Sequence, residues 1–487
     1  MLGIAALAAF AALVRAYWAF TVDDTFIFLR YARNLAQGYG LTYNPGGPPA
    51  EGYTSVAWTV VLALPHLLGL DAEAFAKALG VGCMLGAGAL SALLAARLAG
   101  ERALVPAVAA LLVLALPATV VHAVSGMETA LATLLVCAWA VLAERQVSSR
   151  GGPWALAGCG LLLGLTRPEA NLFVAVGLVL VLRKLEAAAR RRLAFAVLLG
   201  HVLPGAAYFA WRVVHYGKLL PLPFYVKAVA PELGPLAGLR QCVELLRMFS
   251  VDNLWLFGLL AVALATLPFA RLFLGAAAAW WAFFLFPAHE MGYDLRYLFP
   301  LVPVLLALCA ASVARVTARL EGRVPAAAVA LGCAVLMVAS FHHRLAGHIE
   351  EKRDYGEGGR KAHVAIGQWL TSIRPHVERP VVATLDAGAI AYFANWTVID
   401  TWGLNDPEVA LAAAGAGRSA DAILARQPTV VVVISQHADR FVPHFDFEGP
   451  LYERALASGY RVLGRWQFTA DYHLWALGLE GVPPPPS

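Results

Sequence analysis

The chain has 487 residues, 60% of them hydrophobic and only 14% charged, with a mean hydropathy of +0.66. A water-facing surface needs far more charge than that, which excludes a soluble globule and predicts a polytopic α-helical membrane protein. The formal net charge of +5 is small enough to lie in loops and implies no nucleic-acid partner.

The first apolar run, residues 2–20, has no basic segment before it and no small-x-small cleavage site after it, so it reads as a retained span rather than a secretory signal. Two adjacent carboxylates follow at once, Asp23 and Asp24, at the head of "TFIFLRYARNLAQG". Its apolar spacing predicts an amphipathic helix ended by Gly38 or Gly40. One carboxylate would serve as a helix cap, and the second is more than capping needs. Partial burial near cations suits such a group to act as a general base on a hydroxyl. The loop "YNPGGPPAEGYTS" then offers Tyr43, Asn44, Glu51, Tyr53, Thr54 and Ser55 as polar groups.

Residues 56–70 are apolar but short and contain Pro65 and His66, so they are either a short span or a segment lying in the interface. Ten further runs suit spans: 75–98, 103–121, 129–143, 154–165, 170–182, 193–213, 253–270, 272–287, 297–314 and 325–341. With the first, they make eleven. With residues 56–70 in the plane, one side collects 13 Lys and Arg in short loops and the other has eight in longer loops. The basic side is the cytoplasm, so the acidic pair faces outward.

In "TRPEA", Arg167 and Glu169 cap a hairpin whose arms reach only about 18 to 20 Å, short of a hydrocarbon core of about 30 Å. Both charges should therefore lie below the outer surface in a protein-walled cavity, where charges usually mark a site. Other outward loops carry "SGMET" with Glu128, "HYGKLLPLPFYVK" with Lys218, Tyr225 and Lys227, and "HEMGYDLRYLFP" with His289, Glu290, Asp294 and Arg296. A helix dipole explains Glu128 alone, and solvation or snorkelling explains either lysine alone. Together the cations suit a lipid phosphate.

Beyond residue 341 the composition turns polar, with an amphipathic helix near 363–372 and β-rich runs in "PVVATLD", "WTVID" and "TVVVVIS" and around Arg461 and Leu474. The expected organisation is a transmembrane domain over 1–341, an outer α/β domain over 342–480 and a disordered tail over 481–487. Within the outer domain, Asp386, Trp402, Asn405 and Asp406 are candidates for binding an acceptor polymer, although strand-joining turns would look much the same. The six cysteines show no CxxC or Cys/His spacing and support neither a disulfide framework nor a zinc site.

The ordered strings, from the Asp-Asp pair through "RYARNLAQGYGLTYNPG", "EGYTS", "SGMET", "LTRPEA", "YGKLLPLPFYVKA" and "LDAGAIAYFANWTVIDTWGLNDP", resemble the GT-C superfamily of integral-membrane glycosyltransferases. The likeness is to arabinofuranosyltransferases and related bacterial enzymes that use polyprenyl-phosphate sugars. It implies inverting transfer of a sugar, a pentose such as arabinofuranose or a hexose, from a polyprenyl-monophosphate donor to a cell-envelope glycan or glycolipid. The site would face the periplasm in the bacterial inner membrane.

The resemblance puts the base on Asp23, with Asp24 as its partner. Donor phosphate and sugar would be bound by Arg30, Glu51, Tyr53, Glu128, Arg167, Glu169, Lys218, Tyr225, Lys227 and Arg296. Acceptor candidates are His289, Glu290, Asp294, Asp386, Trp402, Asn405 and Asp406. No cofactor is required, and a monophosphate donor leaves room for a divalent cation without demanding one. Leu222 and Pro223 replace a more usual Asn-Thr, which leaves sugar and acceptor identity open. A transporter or flippase for lipid-linked sugars is the rival reading, but it has no need of an acidic pair in the first loop or of a sizeable outer domain.

Overall fold

The structure is a computed structural model that describes residues 2–100, 104–228, 239–240, 243, 258–285, 292–319 and 326–486. Most of it is apolar helix, as the composition requires of a polytopic membrane protein. Among the described residues, four helices are long and apolar enough to cross a bilayer singly: Ala72–Ala99, Thr129–Val147, Ala187–Tyr216 and Phe299–Ala318.

Proline explains where the helices depart from the sequence expectation. The run 103–121 is two helices, Leu104–Leu114 and Pro117–Val124, bent by 60°. Pro117 has no N–H to continue the ladder, and the Thr119 hydroxyl donates to the Val113 carbonyl at 2.6 Å in its place. Likewise, the break expected near Arg271 falls at Leu267, because Pro268 opens the helix Pro268–Phe283. Residues 56–70 form two six-residue helices, Val56–Val61 and Ala63–Leu68. At about 1.5 Å per residue, the pair is too short for a hydrocarbon core. The hairpin arms Pro153–Thr166 and Ala170–Leu182 have the short lengths that the sequence predicts.

The composition change at residue 342 is not a helix end. One helix, Ala326–Gly359, runs 34 residues through it and passes by a π-turn into Ala365–Ile373. Glu, Lys, Arg and Ala sustain a helix as well as Leu does, so the shift marks a change of surroundings rather than of structure.

Five strands follow: β1 Val381–Thr384, β2 Thr397–Asp400, β3 Val430–Ser435, β4 Arg461–Thr469 and β5 Tyr472–Gly478. Their order is β2-β1-β3-β5-β4, with β1 parallel to β2 and β3, and β5 antiparallel to β3 and β4. Alternation splits the sheet's two faces. Ala383, Ile399, Val431 and Trp475 pack with Leu451 and Ala455 of the helix Glu448–Ala457. Val382, Val398, Val432 and Leu474 belong to the same core as Phe26, Tyr31 and Trp58 of the N-terminal half.

Polar contacts fix that junction. Buried Arg30 donates to the carbonyls of Tyr43 (2.8 Å), Trp396 (2.7 Å) and Ala391 and to Asn44 Oδ1 (3.0 Å). The Asn44 side chain in turn pairs with Val398 as a strand would, donating to its carbonyl at 2.8 Å and accepting its N–H at 3.0 Å. The open edge of β2 is thereby covered at that point.

Candidate active site

The helix that carries the acidic pair, Asp23–Ala36, begins at Asp23 itself, and no side chain caps it. Both carboxylates lie in its first turn, where the helix dipole favours negative charge. Neither serves as the cap that the bland sequence reading proposed.

Asp23 instead binds a helix more than 360 residues away in sequence. Its Oδ2 accepts the N–H of Gly388 at 3.0 Å and its Oδ1 that of Ala389 at 2.8 Å, at the start of the helix Ala389–Ala394. The approach requires glycine, since a Cβ on Gly388 would lie 2.1 Å from the Asp23 carbonyl oxygen. Gly388 follows β1 in the turn at the carboxyl end of the parallel strands, where open α/β sheets usually seat ligands. Nearby, Asp386 accepts the Tyr472 hydroxyl at 3.0 Å and lies 2.7 Å from His363 Nε2. Burial pushes the Asp23 carboxyl up to about 6, opposed by His363, with Asp386 raising it further and the Ala389 amide lowering it.

Asp24 points elsewhere. Its Oδ2 lies 3.4 Å from Arg296 Nη1, and its side chain keeps 22% of its surface exposed. Arg296 belongs to a buried cluster in which Glu128 Oε1 accepts from Arg167 Nη1 at 2.7 Å and lies 3.7 Å from Arg296 Nη2, while Glu169 Oε1 accepts from Arg167 Nε at 2.5 Å. Both guanidinium groups lie against the Tyr297 ring, at 5.5 and 5.6 Å. "SGMET" delivers Glu128 through a turn at Gly126, whose φ of +80° suits glycine and whose carbonyl accepts the Trp58 indole N–H at 3.0 Å.

These residues wall a cavity of about 610 Å³ lined by Glu128, Arg167, Glu169, Lys227, Arg296, Thr54 and the rings of Phe224, Phe283, Phe284 and Tyr297. The hairpin charges thus lie in a protein-walled cavity, as the short arms imply. A second cavity of about 550 Å³ shares Thr54, Phe224 and Phe283 with it and is bounded largely by apolar side chains, with Glu51, Tyr208 and Arg212 among them. The loop that carries Arg296 is braced by Asp294, which pairs with His348 Nε2 at 2.9 Å and Lys352 Nζ at 3.1 Å. Burial alone would raise the Asp294 carboxyl, but His348 and Lys352 outweigh it and hold the group at about 2.

The remaining candidates are dispersed. Arg30 lies at the junction with the outer layer, away from the cavity. Glu51 accepts both its hydrogen bonds from Arg212 Nε, at 2.7 and 2.8 Å, and burial pushes it up to about 7 against that pairing. The Tyr53 hydroxyl is 3.0 Å from that of Tyr216. Lys218 is exposed, and the Tyr225 hydroxyl accepts the Leu220 N–H at 3.4 Å. Asn405 holds the buried Asp400 carboxylate through its side chain at 2.9 Å. Asp406 caps the helix Pro407–Leu411 and pairs with Arg426 at 2.8 Å. The Arg418 guanidinium covers Trp402 at 4.3 Å. His289 and Glu290 lie outside the described residues. Among the described residues, no cluster of three or more His, Cys, Asp or Glu is arranged to hold a metal ion.

Sequence reasoning missed Arg212, His348, Lys352 and His363. Arg212 had a signal, a lone charge near the end of an apolar run. His348 and Lys352 are ordinary polar residues of the long helix Ala326–Gly359 and His363 of the π-turn after it, each chosen by partners distant in sequence.

A domain of unknown function (DUF8728) matches residues 350–477. The terminal beta-(1->2)-arabinofuranosyltransferase of Mycobacterium tuberculosis is 34% identical over 230 residues, which are 43% of this chain and 35% of that protein. The match thus spans about a third of that relative's length. The crystal structure of ArnT from Cupriavidus metallidurans bound to undecaprenyl phosphate superposes with a TM-score of 0.64 at 16% identity, covering 99% of this chain and 98% of that one. The apo ArnT structure gives 0.59, covering 96% and 97%. This chain has the fold of ArnT. Within that fold, the acidic pair of the first loop lies between the arginine-lined cavity and the outer α/β layer.

Proposed function

We propose that the chain is an inverting glycosyltransferase. It moves a sugar, arabinofuranose or another pentose or hexose, from a polyprenyl monophosphate to a cell-envelope glycan or glycolipid at the extracytoplasmic face. In this reading eleven spans and the in-plane pair at 56–68 form the membrane part, in the bacterial inner membrane, and the α/β layer stands on the periplasmic side. The single observation that carries it is Asp24 beside Arg296, an arginine that lines a cavity together with Arg167 and Lys227. The arabinofuranosyltransferase named for one relative and the undecaprenyl phosphate bound to ArnT support it.

The chemistry needs few groups. Arg296, Arg167 and Lys227 neutralise the charge that grows on the phosphate as it leaves. An acceptor hydroxyl attacks the anomeric carbon from the opposite side, the bond from that carbon to the phosphate oxygen breaks, and configuration inverts. The hydroxyl proton passes to a first-loop carboxylate. We assign that role to Asp24 rather than Asp23. Asp24 retains exposed surface and touches Arg296 of the cation-lined cavity, whereas each Asp23 oxygen already holds a backbone amide. Asp23 then fixes the outer layer against the helix that carries Asp24.

The test is to incubate the purified chain with a panel of polyprenyl-phosphate pentoses and hexoses and an added envelope glycan, then follow both by mass spectrometry. Loss of sugar from one donor with equal gain on the glycan supports the proposal. Donor that moves across a bilayer intact, with no transfer to any acceptor, supports the transporter instead.

A further inference from the structure

The cavity's charges are not those of a plain anion site. Among the described residues, and counting Asp24 through its contact with Arg296, three carboxylates (Asp24, Glu128 and Glu169) accompany three cations (Arg167, Arg296 and Lys227), so their formal charges balance before any ligand enters. A phosphate alone would be better served by fewer carboxylates. Carboxylates accept hydrogen bonds only, and a sugar offers hydroxyl donors.

Glu128 is the carboxylate in this cluster with a buried acceptor left unmet. It is 1% exposed, its Oε1 holds both arginines, and its Oε2 has no hydrogen-bond partner among the described residues. Arg296 Nε, in the same cluster, is a buried donor that also lacks a partner there. Leaving such groups unpaired carries a desolvation cost that a bound ligand can relieve. An unmet acceptor near an unmet donor complements a molecule that carries both a hydroxyl and a phosphate oxygen.

From this we infer that Glu128 determines sugar specificity: Oε2 accepts a ring hydroxyl of the donor sugar while Arg296, held on Oε1, faces its phosphate. The inference rests on the proposed donor class but goes beyond it, because it assigns recognition of the sugar itself to one residue. A site built to pair with a hydroxyl rejects analogues that lack it far more strongly than an apolar pocket rejects a change of size.

The experiment measures binding and transfer separately on the full-length chain. The probes are undecaprenyl phosphate, undecaprenyl-phosphate arabinofuranose and the latter's singly deoxygenated forms. The wild-type chain is expected to lose about 100-fold or more in affinity and in kcat/KM for one deoxygenated donor. In Glu128→Gln that preference should fall below about tenfold, while undecaprenyl phosphate binds as tightly as before or more tightly, because a charge opposing the phosphate is gone.

A Glu128→Gln chain that keeps the full preference overturns the inference, as does one that loses both donors and undecaprenyl phosphate alike, since Glu128 would then only hold the arginines. Should that variant not fold, the wild-type scan suffices, because no loss with any deoxygenated donor also overturns it. Selective binding that depends on Glu128 but comes with no transfer to any acceptor sinks the transferase reading and leaves this inference standing.

Discussion

Asp24 and Arg296, 272 residues apart in the chain, meet at 3.4 Å, and Arg296 lines the same cavity as Arg167, Lys227 and Glu128. The contact joins the proposed proton acceptor to a proposed phosphate ligand. Arg296→Gln should therefore weaken undecaprenyl phosphate binding by roughly ten- to a hundredfold, the worth of one or two charge-assisted hydrogen bonds. Arg296→Lys should recover part of the loss, since a point charge lacks the planar fork. Calorimetric titration of the solubilised chain checks both, and unchanged affinity in Arg296→Gln would remove this arginine from the site.

Glu51 and Arg212 form a buried pair between the first loop and a membrane helix, with side chains 4% and 5% exposed. Removing one partner leaves the other charged and unpaired, so Glu51→Leu should cost about 3 to 5 kcal/mol. Glu51→Leu combined with Arg212→Leu should recover much of that. A double-mutant cycle read by thermal unfolding gives the coupling, and additive losses would mean that the pair is not coupled.

The Asp23 contact makes a local prediction. Amides 388 and 389 should exchange slowly with deuterium in the native chain and faster in Asp23→Ala, while β3 stays protected because its ladder is untouched. Hydrogen exchange read by mass spectrometry tests it. Equal protection in both proteins would show that Asp23 does not hold the outer layer.

Glu448 is buried in the outer layer and accepts the Ile434 N–H at 2.9 Å. Burial pushes its carboxyl from 4.5 up to about 8, helped by the charge of Asp386 and opposed by the amides of Ile434 and Phe445. The native state thus binds this proton more tightly than the unfolded chain. The resulting stability is full below pH 4.5 and is lost as pH rises through about 8. Melting at pH 6 and pH 9 should show a drop for the wild-type chain and a smaller one for Glu448→Gln. Identical drops would contradict the assignment.

Much of the membrane part was legible because burial in hydrocarbon forces long apolar runs. The hairpin at Arg167 and Glu169 was legible because its arms are too short to reach the surface. The strands declared themselves through β-branched runs such as 430–435. What the sequence concealed is pairing at a distance. Nothing local in "TVDDTF" says that Asp23 will meet amides 388 and 389, or that Asn44 will act as a neighbour to β2. The same holds for the change at residue 342, where hydropathy altered while helix propensity did not. Proline placed two helix breaks more sharply than hydropathy did.

The most direct test of the central claim is single-turnover transfer from undecaprenyl-phosphate arabinofuranose, or whichever donor the panel selects, with donor affinity measured on the same samples for Asp24→Asn and Asp23→Asn. Asp24→Asn should keep donor binding within about threefold yet slow transfer by at least about a hundredfold, the usual worth of a general base. Asp23→Asn should retain most of the single-turnover rate. Full transfer by Asp24→Asn, or loss of transfer confined to Asp23→Asn, would contradict the account.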